Sequence, residues 1–208
     1  MIAALAAIAF AQTLELTPTD DVWVYPHASD PKDEYLRVWG TQGVAVANDP
    51  AEAESFGYSY IKFDLAKLPE NAKLTGATLV LFSAPDPAWS AQDSKAAPLE
   101  VRPLKGSFVE KTWDYGMIKN VSPLIGKDGI LGTFAPAKVE AGKPVKFEVD
   151  LLRGTAKLDK YLAAGKTFEV ALTSQLDPSA IGNRATYKFY SKDYEKSDLR
   201  PKLILSYD

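Results

Sequence analysis

In ten short stretches of this 208-residue chain, apolar and polar residues alternate with a period of two: 13–17, 22–25, 35–39, 58–63, 78–82, 99–104, 145–149, 168–173, 186–190 and 202–207. Alternation of that kind puts every second side chain on one face of a strand, so a half-buried sheet is what such a segment can form. Clusters of turn formers separate the stretches: Pro26 to Pro31, Asn48-Asp49-Pro50, Pro85-Asp86-Pro87, Gly126-Lys127-Asp128-Gly129 and Asp177-Pro178-Ser179. Many short strands with Pro- and Gly-rich links predict an all-β fold, a two-sheet antiparallel β-sandwich of the jelly-roll kind. One stretch departs from the pattern. Leu151, Leu152, Ala156, Leu158, Tyr161 and Leu162 are spaced helically and Gly165 follows, which predicts a single helix over 151–164. No internal repeat or linker divides the chain. The expected organisation is an apolar segment 1–11, an extension 12–19 and one sandwich domain 20–208.

The formal net charge of -3, with no cluster of Lys or Arg, gives no surface for tracking phosphates and excludes a nucleic-acid partner. There is no cysteine, hence no disulfide framework, no thiolate nucleophile and no Cys-based zinc site. The run Ile2 to Phe10 is too short to span a bilayer. Its end, Ala9-Phe10-Ala11, carries the small residues that a signal peptidase accepts, with Gln12 as the new N-terminus, although no basic residue precedes the run. A secreted or cell-surface location is expected from it. If the run is retained, it must be packed against something.

Candidate chemistry is sparse. The one histidine, His27, lies among turn formers with nothing that suggests a nucleophile relay. Asp20/Asp21, Asp30/Asp33/Glu34 and Glu52/Glu54 pair carboxylates in sequence, but loop neighbours are normally solvated, whereas a general acid needs burial. No phosphate loop or nucleophile elbow is present, so no enzyme is expected. Calcium is the cofactor that the residues allow: Asp20, Asp21, Asp30 and Asp33 lie near the first strand and Asp208 ends the last, and hard cations take such oxygens. Ordinary solvated turns account for the same residues.

Aromatic rings matter because sugar C–H faces stack on them. Trp23 and Tyr25 share one side of their strand, and Arg37 and Trp39 share another. Trp89 sits in a Pro/Ser/Asp loop and is expected to be an exposed platform; Trp113 and Tyr115 mark a second loop. For Trp23, Trp39 and Trp113 a place in the core is the competing expectation. Asp64 is expected to cap the turn over 65–68, and Arg200 to pair with a carboxylate ahead of the last strand, where Pro201 need not donate.

Tyr60-Ile61-Lys62-Phe63-Asp64-Leu65 with Leu68-Pro69 and Ala77-Thr78-Leu79-Val80-Leu81-Phe82, then Arg200-Pro201-Lys202-Leu203-Ile204-Leu205-Ser206-Tyr207, resembles the DNRLRE-type extracellular domain. That family overlaps a carbohydrate-binding module family of polysaccharide-degrading enzymes. Asp21-Val22-Trp23-Val24, Tyr35-Leu36-Arg37-Val38-Trp39-Gly40, Val149-Asp150-Leu151-Leu152 and the stretch Ser107 to Trp113 extend the likeness over most of 20–208. Two features depart from it: Ala28-Ser29-Asp30-Pro31-Lys32-Asp33 replaces an Asn-Tyr-Gly turn, and the insert Gln42 to Phe56 is long.

A lone domain of this kind, without an accompanying enzyme, points to a secreted structural or adhesive protein, a subunit of a matrix or filament. Its partner would be a copy of itself or another extracellular protein. Leu5, Ile8, Phe10, Leu14 and Leu16 are the residues expected to add as a strand to a neighbouring sheet. The alternative that the resemblance implies is a carbohydrate-binding module recognising a polysaccharide.

Overall fold

The computed structural model of the protein describes residues 11–26, 33–162, 166–182 and 184–208. Two sheets face each other. The first has strand order β1 (Gln12–Leu16), β12 (Lys202–Tyr207), β5 (Leu74–Phe82) and β9 (Lys146–Asp150). The second runs β2 (Pro18–Val24), β4 (Tyr58–Asp64), β10 (Thr167–Ser174), β6 (Leu99–Lys105) and β7 (Ser122–Pro123), with β8 (Gly132–Phe134) also on β6. Their pairings are antiparallel. An antiparallel ribbon of β3 (Tyr35–Val38) and β11 (Tyr187–Tyr190) closes one end, held to the sheets through Trp39–Gly57 and Ser83–Phe189 bridges. The fold is an all-β sandwich, and each of the ten alternating stretches lies on a strand.

Alternation sorts β4 into two faces. Ile61 and Phe63 join Leu79, Phe147, Val170 and Leu203 in the core between the sheets. Tyr58 and Tyr60 face the other way, into a second core with Val22, Val24, Phe108 and Trp113. The cover over that outer face comes from the insert before β4 and the segment after β6. The two tyrosines fasten both: the Tyr58 hydroxyl accepts from Ala47 N at 2.9 Å, and the Tyr60 hydroxyl donates to Val121 O at 3.1 Å. Lys62 on the same face meets Glu169 at 3.4 Å, and Arg102 meets Glu100 at 2.7 Å, all with little exposure. Paired and roofed over, these charges avoid the cost of lone buried ions.

The helix expected over 151–164 shrinks to α2 (Asp159–Leu162); the short helices α1 (Ala91–Ala96) and α3 (Pro178–Ile181) lie elsewhere. The reason is a competing use of its first residues. Gly154 N donates to Leu131 O and Ala156 N to Ile130 O, so this backbone pairs sideways instead of along a helix. A Cβ at Gly154 would lie 2.0 Å from Ile130 O, a contact that only glycine permits. Gly165 is outside the described residues. Asp64 does cap its turn, accepting from Ala66 N at 2.8 Å. Arg200 corrects the expectation: Nε donates to the carbonyl of Tyr194 at 2.7 Å, and among the described residues no carboxylate pairs with it.

Candidate functional site

Three places bear on function: an aromatic cluster, a carboxylate cluster and the free margin of the sandwich. The ribbon end carries the first. Trp23 and Tyr25 lie parallel, 5.7 Å apart at 3°, and Trp39 reaches across from the end of β3 to 5.9 Å from Trp23 and 5.1 Å from Tyr25. The Arg37 guanidinium stands 4.3 Å over the Trp23 ring, a favourable charge–ring contact. All three rings are half-buried. Trp39 can lie there because residue 57 is glycine: a Cβ would fall 2.2 Å from its ring. The period-two reading paired Trp23 with Tyr25 and Arg37 with Trp39; the structure brings the two pairs into one cluster.

The other ring candidates fare differently. Trp89 corrects the expectation of an exposed platform: it is 3% exposed, edge-on to Tyr187 at 4.9 Å and Phe147 at 5.9 Å. Its Pro-rich stretch folds down over the core, and α1 follows it with a capping box between Ser90 and Asp93. Trp113 is likewise buried, edge-on to Tyr60 at 5.4 Å, and belongs to the outer core. Tyr115 is half-buried with its hydroxyl enclosed; burial first, then nearby Glu54 and Tyr25, push its pKa up.

The carboxylate cluster draws Asp21, Glu110 and Asp193 together, with oxygens within 4.8 Å of one another. Asp21 N reaches Glu110 Oε2 at 3.4 Å, Glu110 N donates to Asp20 Oδ1 at 3.1 Å, and Lys192 N donates to Asp21 Oδ2 at 2.7 Å. Lys192 Nζ lies 2.9 Å from Glu110 and 2.7 Å from Asp193. Burial pushes the Asp21 carboxyl up to about 8, with nearby Glu110 adding to the shift against the Lys192 N–H. Burial also raises Glu110. For Lys192, burial acts downward, but its bonds to Asp193 and Glu110 outweigh it and hold the ammonium in its charged form. The cluster thus contains its own cation, and Asp21 favours its neutral form. That chemistry suits a closed polar knot better than a calcium site.

The expected calcium ligands do not converge as a set. Asp20 and Asp21 join this cluster. Asp33 instead pairs with Arg37 at 3.2 Å and accepts from Tyr35 N, while Asp208 exchanges main-chain bonds with Lys73. Asp30 and His27 lie outside the described residues. Glu110 and Asp193 were missed because nothing local marks them: Glu110 is 89 positions from Asp21.

On the margin where β1 gives way to β2, the two sheets end differently. The edge of β2 is sealed at Asp20 and Asp21 by Glu110. The outer edge of β1 has no strand beside it among the described residues. Leu14 and Leu16, expected as donors to a neighbour, pair with the chain's own β12 opposite Leu205 and Leu203. Leu16 is in the inter-sheet core. Leu5, Ile8 and Phe10 lie outside the described residues.

No family model matches the chain, and no curated protein matches it either. No helix among the described residues is long and apolar enough to cross a membrane.

Proposed function

We propose that the protein is a non-catalytic structural or adhesive module of the extracellular space, whose copies join by strand addition along β1. The observation that carries this reading is the asymmetry of the margin. Free strand edges template association, and folds that must stay apart block them. Here Glu110 blocks β2, while β1 offers Gln12 to Leu16 with no described strand beside it. Extracellular location rests on the Ala9-Phe10-Ala11 run and on the resemblance to a DNRLRE-type domain. Sedimentation velocity and negative-stain microscopy over a concentration series test it: association that grows with concentration is expected, and a monomer throughout would refute it.

A second reading, recognition of a polysaccharide, is favoured by the half-buried cluster of Trp23, Tyr25 and Trp39 beside Arg37. Retention on a polysaccharide affinity gel that Trp39→Ala abolishes would support it; no retention on any gel would remove it.

A further inference from the structure

A strand can add to β1 only if it brings free backbone groups of its own, and the described edges of this sandwich leave few. β9 ends the same sheet on its far side, but β8 lies against it: a Cβ at Gly132 would fall 2.3 Å from the carbonyl oxygen of Asp150. β8 is itself held to β6. β2 is closed by Glu110, and β7 has two residues, one of them a proline that cannot donate. The ribbon is bridged to Gly57 on the β3 side and to Ser83 on the β11 side. Among the described residues, β1 is therefore the edge that a second copy can offer.

The register gives the direction of its groups. Ala77 O accepts from Leu151 N at 2.8 Å, so the backbone of Ala77 points to β9 and away from β12. Leu205, opposite Ala77, therefore turns its own groups toward β1, where it meets Leu14. Asp208, three residues on, turns the other way and exchanges bonds with Lys73, as the same alternation requires. With Leu14 bonded to β12, the N–H and C=O of Thr13 and Glu15 point outward.

We propose that β1 pairs with the β1 of a second copy, antiparallel about a twofold axis through Leu14, and joins two four-stranded sheets into one. The proposal rests on strand addition at β1 and adds the occupant, the register and the limit. Only outward-facing residues can exchange bonds, so Thr13 lies opposite itself, Glu15 opposite itself, or Thr13 opposite Glu15. Glu15 on Glu15 sets like charges side by side, which is unfavourable. Thr13 on Thr13 runs the pair past the start of the strand and leaves Leu16 without a counterpart in it. Thr13 opposite Glu15 overlaps all five residues, places each carboxylate beside a hydroxyl and sets half-buried Leu14 against its own copy. Such an isologous contact consumes both edges, so it closes at two chains.

The absence of cysteine makes a clean test. Opposite residues of an antiparallel pair have Cα atoms about 5.5 Å apart, within disulfide range, whereas diagonal neighbours are more than about 7 Å apart. Full-length Thr13→Cys and Glu15→Cys proteins are mixed and oxidised at a concentration where sedimentation shows association. The mixed disulfide dimer should form at least about tenfold faster than either protein's own. Thr13→Glu should weaken the dimer about tenfold and Thr13→Lys should not, since only the first meets Glu15 of the second copy with a like charge. This second pair of variants decides the register without a thiol. The mass should stop at two chains. Faster cross-linking by either variant alone, or equal weakening by Thr13→Glu and Thr13→Lys, would overturn the proposal. So would association without any of these cross-links. Particles that grow past the dimer would overturn the twofold closure while leaving strand addition at β1 standing. A monomer at every concentration would refute strand addition itself.

Discussion

The strands β1 and β2 follow each other with one residue between them, yet they end their sheets in opposite ways. On β2, the Asp21 amide and the Asp20 carboxylate are both taken by Glu110, whose own charge is met by Lys192. On β1, the one ion pair among the described residues joins Glu15 to Lys202 of its neighbour β12 at 2.8 Å. The difference teaches that an edge is closed by long-range side-chain chemistry and not by the strand's own sequence. Both strands alternate, and only one has a buried acid brought up against it from another loop.

Unsealing β2 is the strongest way to break the contrast. Glu110→Ala leaves Asp21 N without an acceptor and Lys192 with Asp193 as its remaining carboxylate; loss of about 1–3 kcal/mol is expected in chemical denaturation. Any folded fraction should associate more readily than wild type. Glu110→Gln, which keeps an acceptor, should lose less.

The pH dependence sharpens the same comparison. Asp21 has its carboxyl raised to about 8 in the fold against an ordinary value near 4, so the fold binds the proton more tightly than the open chain. Its favourable contribution is complete below about 4 and is lost as pH rises through about 8. Stability should therefore fall with pH across that window. Asp21→Asn should flatten the decline, gaining on the order of a few kcal/mol over wild type above pH 8 and nothing below pH 4. Thermal denaturation at a series of pH values reads this out; equal slopes for both proteins would contradict it.

Sealing β1 should cost little in stability. Thr13 is exposed, so Thr13→Glu should change unfolding free energy by no more than about 0.5 kcal/mol. It should weaken association about tenfold, because it sets a like charge opposite Glu15 of the joining strand. The smallest effect concerns calcium. With Lys192 as the cluster's cation, millimolar calcium should leave the wild-type melting temperature unchanged. Lys192→Met, which frees the carboxylates, should make it rise with calcium.

The sandwich was legible because alternation is local. Each of the ten stretches needed only its own residues to declare a face, and Tyr58-Ser59-Tyr60-Ile61 declared two. What that pattern did not reveal is that the outer face would be buried as well. Tyr58, Tyr60, Lys62 and Arg102 look like a solvent face until loops from before β4 and after β6 fold over them. Trp89 misled for the same reason, since a Pro-flanked stretch that folds onto the core reads like one that stands clear of it. β7 and β8, of two and three residues, are too short to show a period. The aromatic cluster was half legible: parity gave Trp23 with Tyr25 and Arg37 with Trp39, but not the glycine cradle at residue 57 that joins the pairs.

Amide hydrogen exchange on the two margin strands, measured in dilute and in associated protein, tests strand addition most directly. Amides of Gln12 to Leu16 should slow markedly on association while those of Thr19 to Val24 keep their rates. Unchanged exchange along β1, or new protection confined to β2, would contradict a β1 interface.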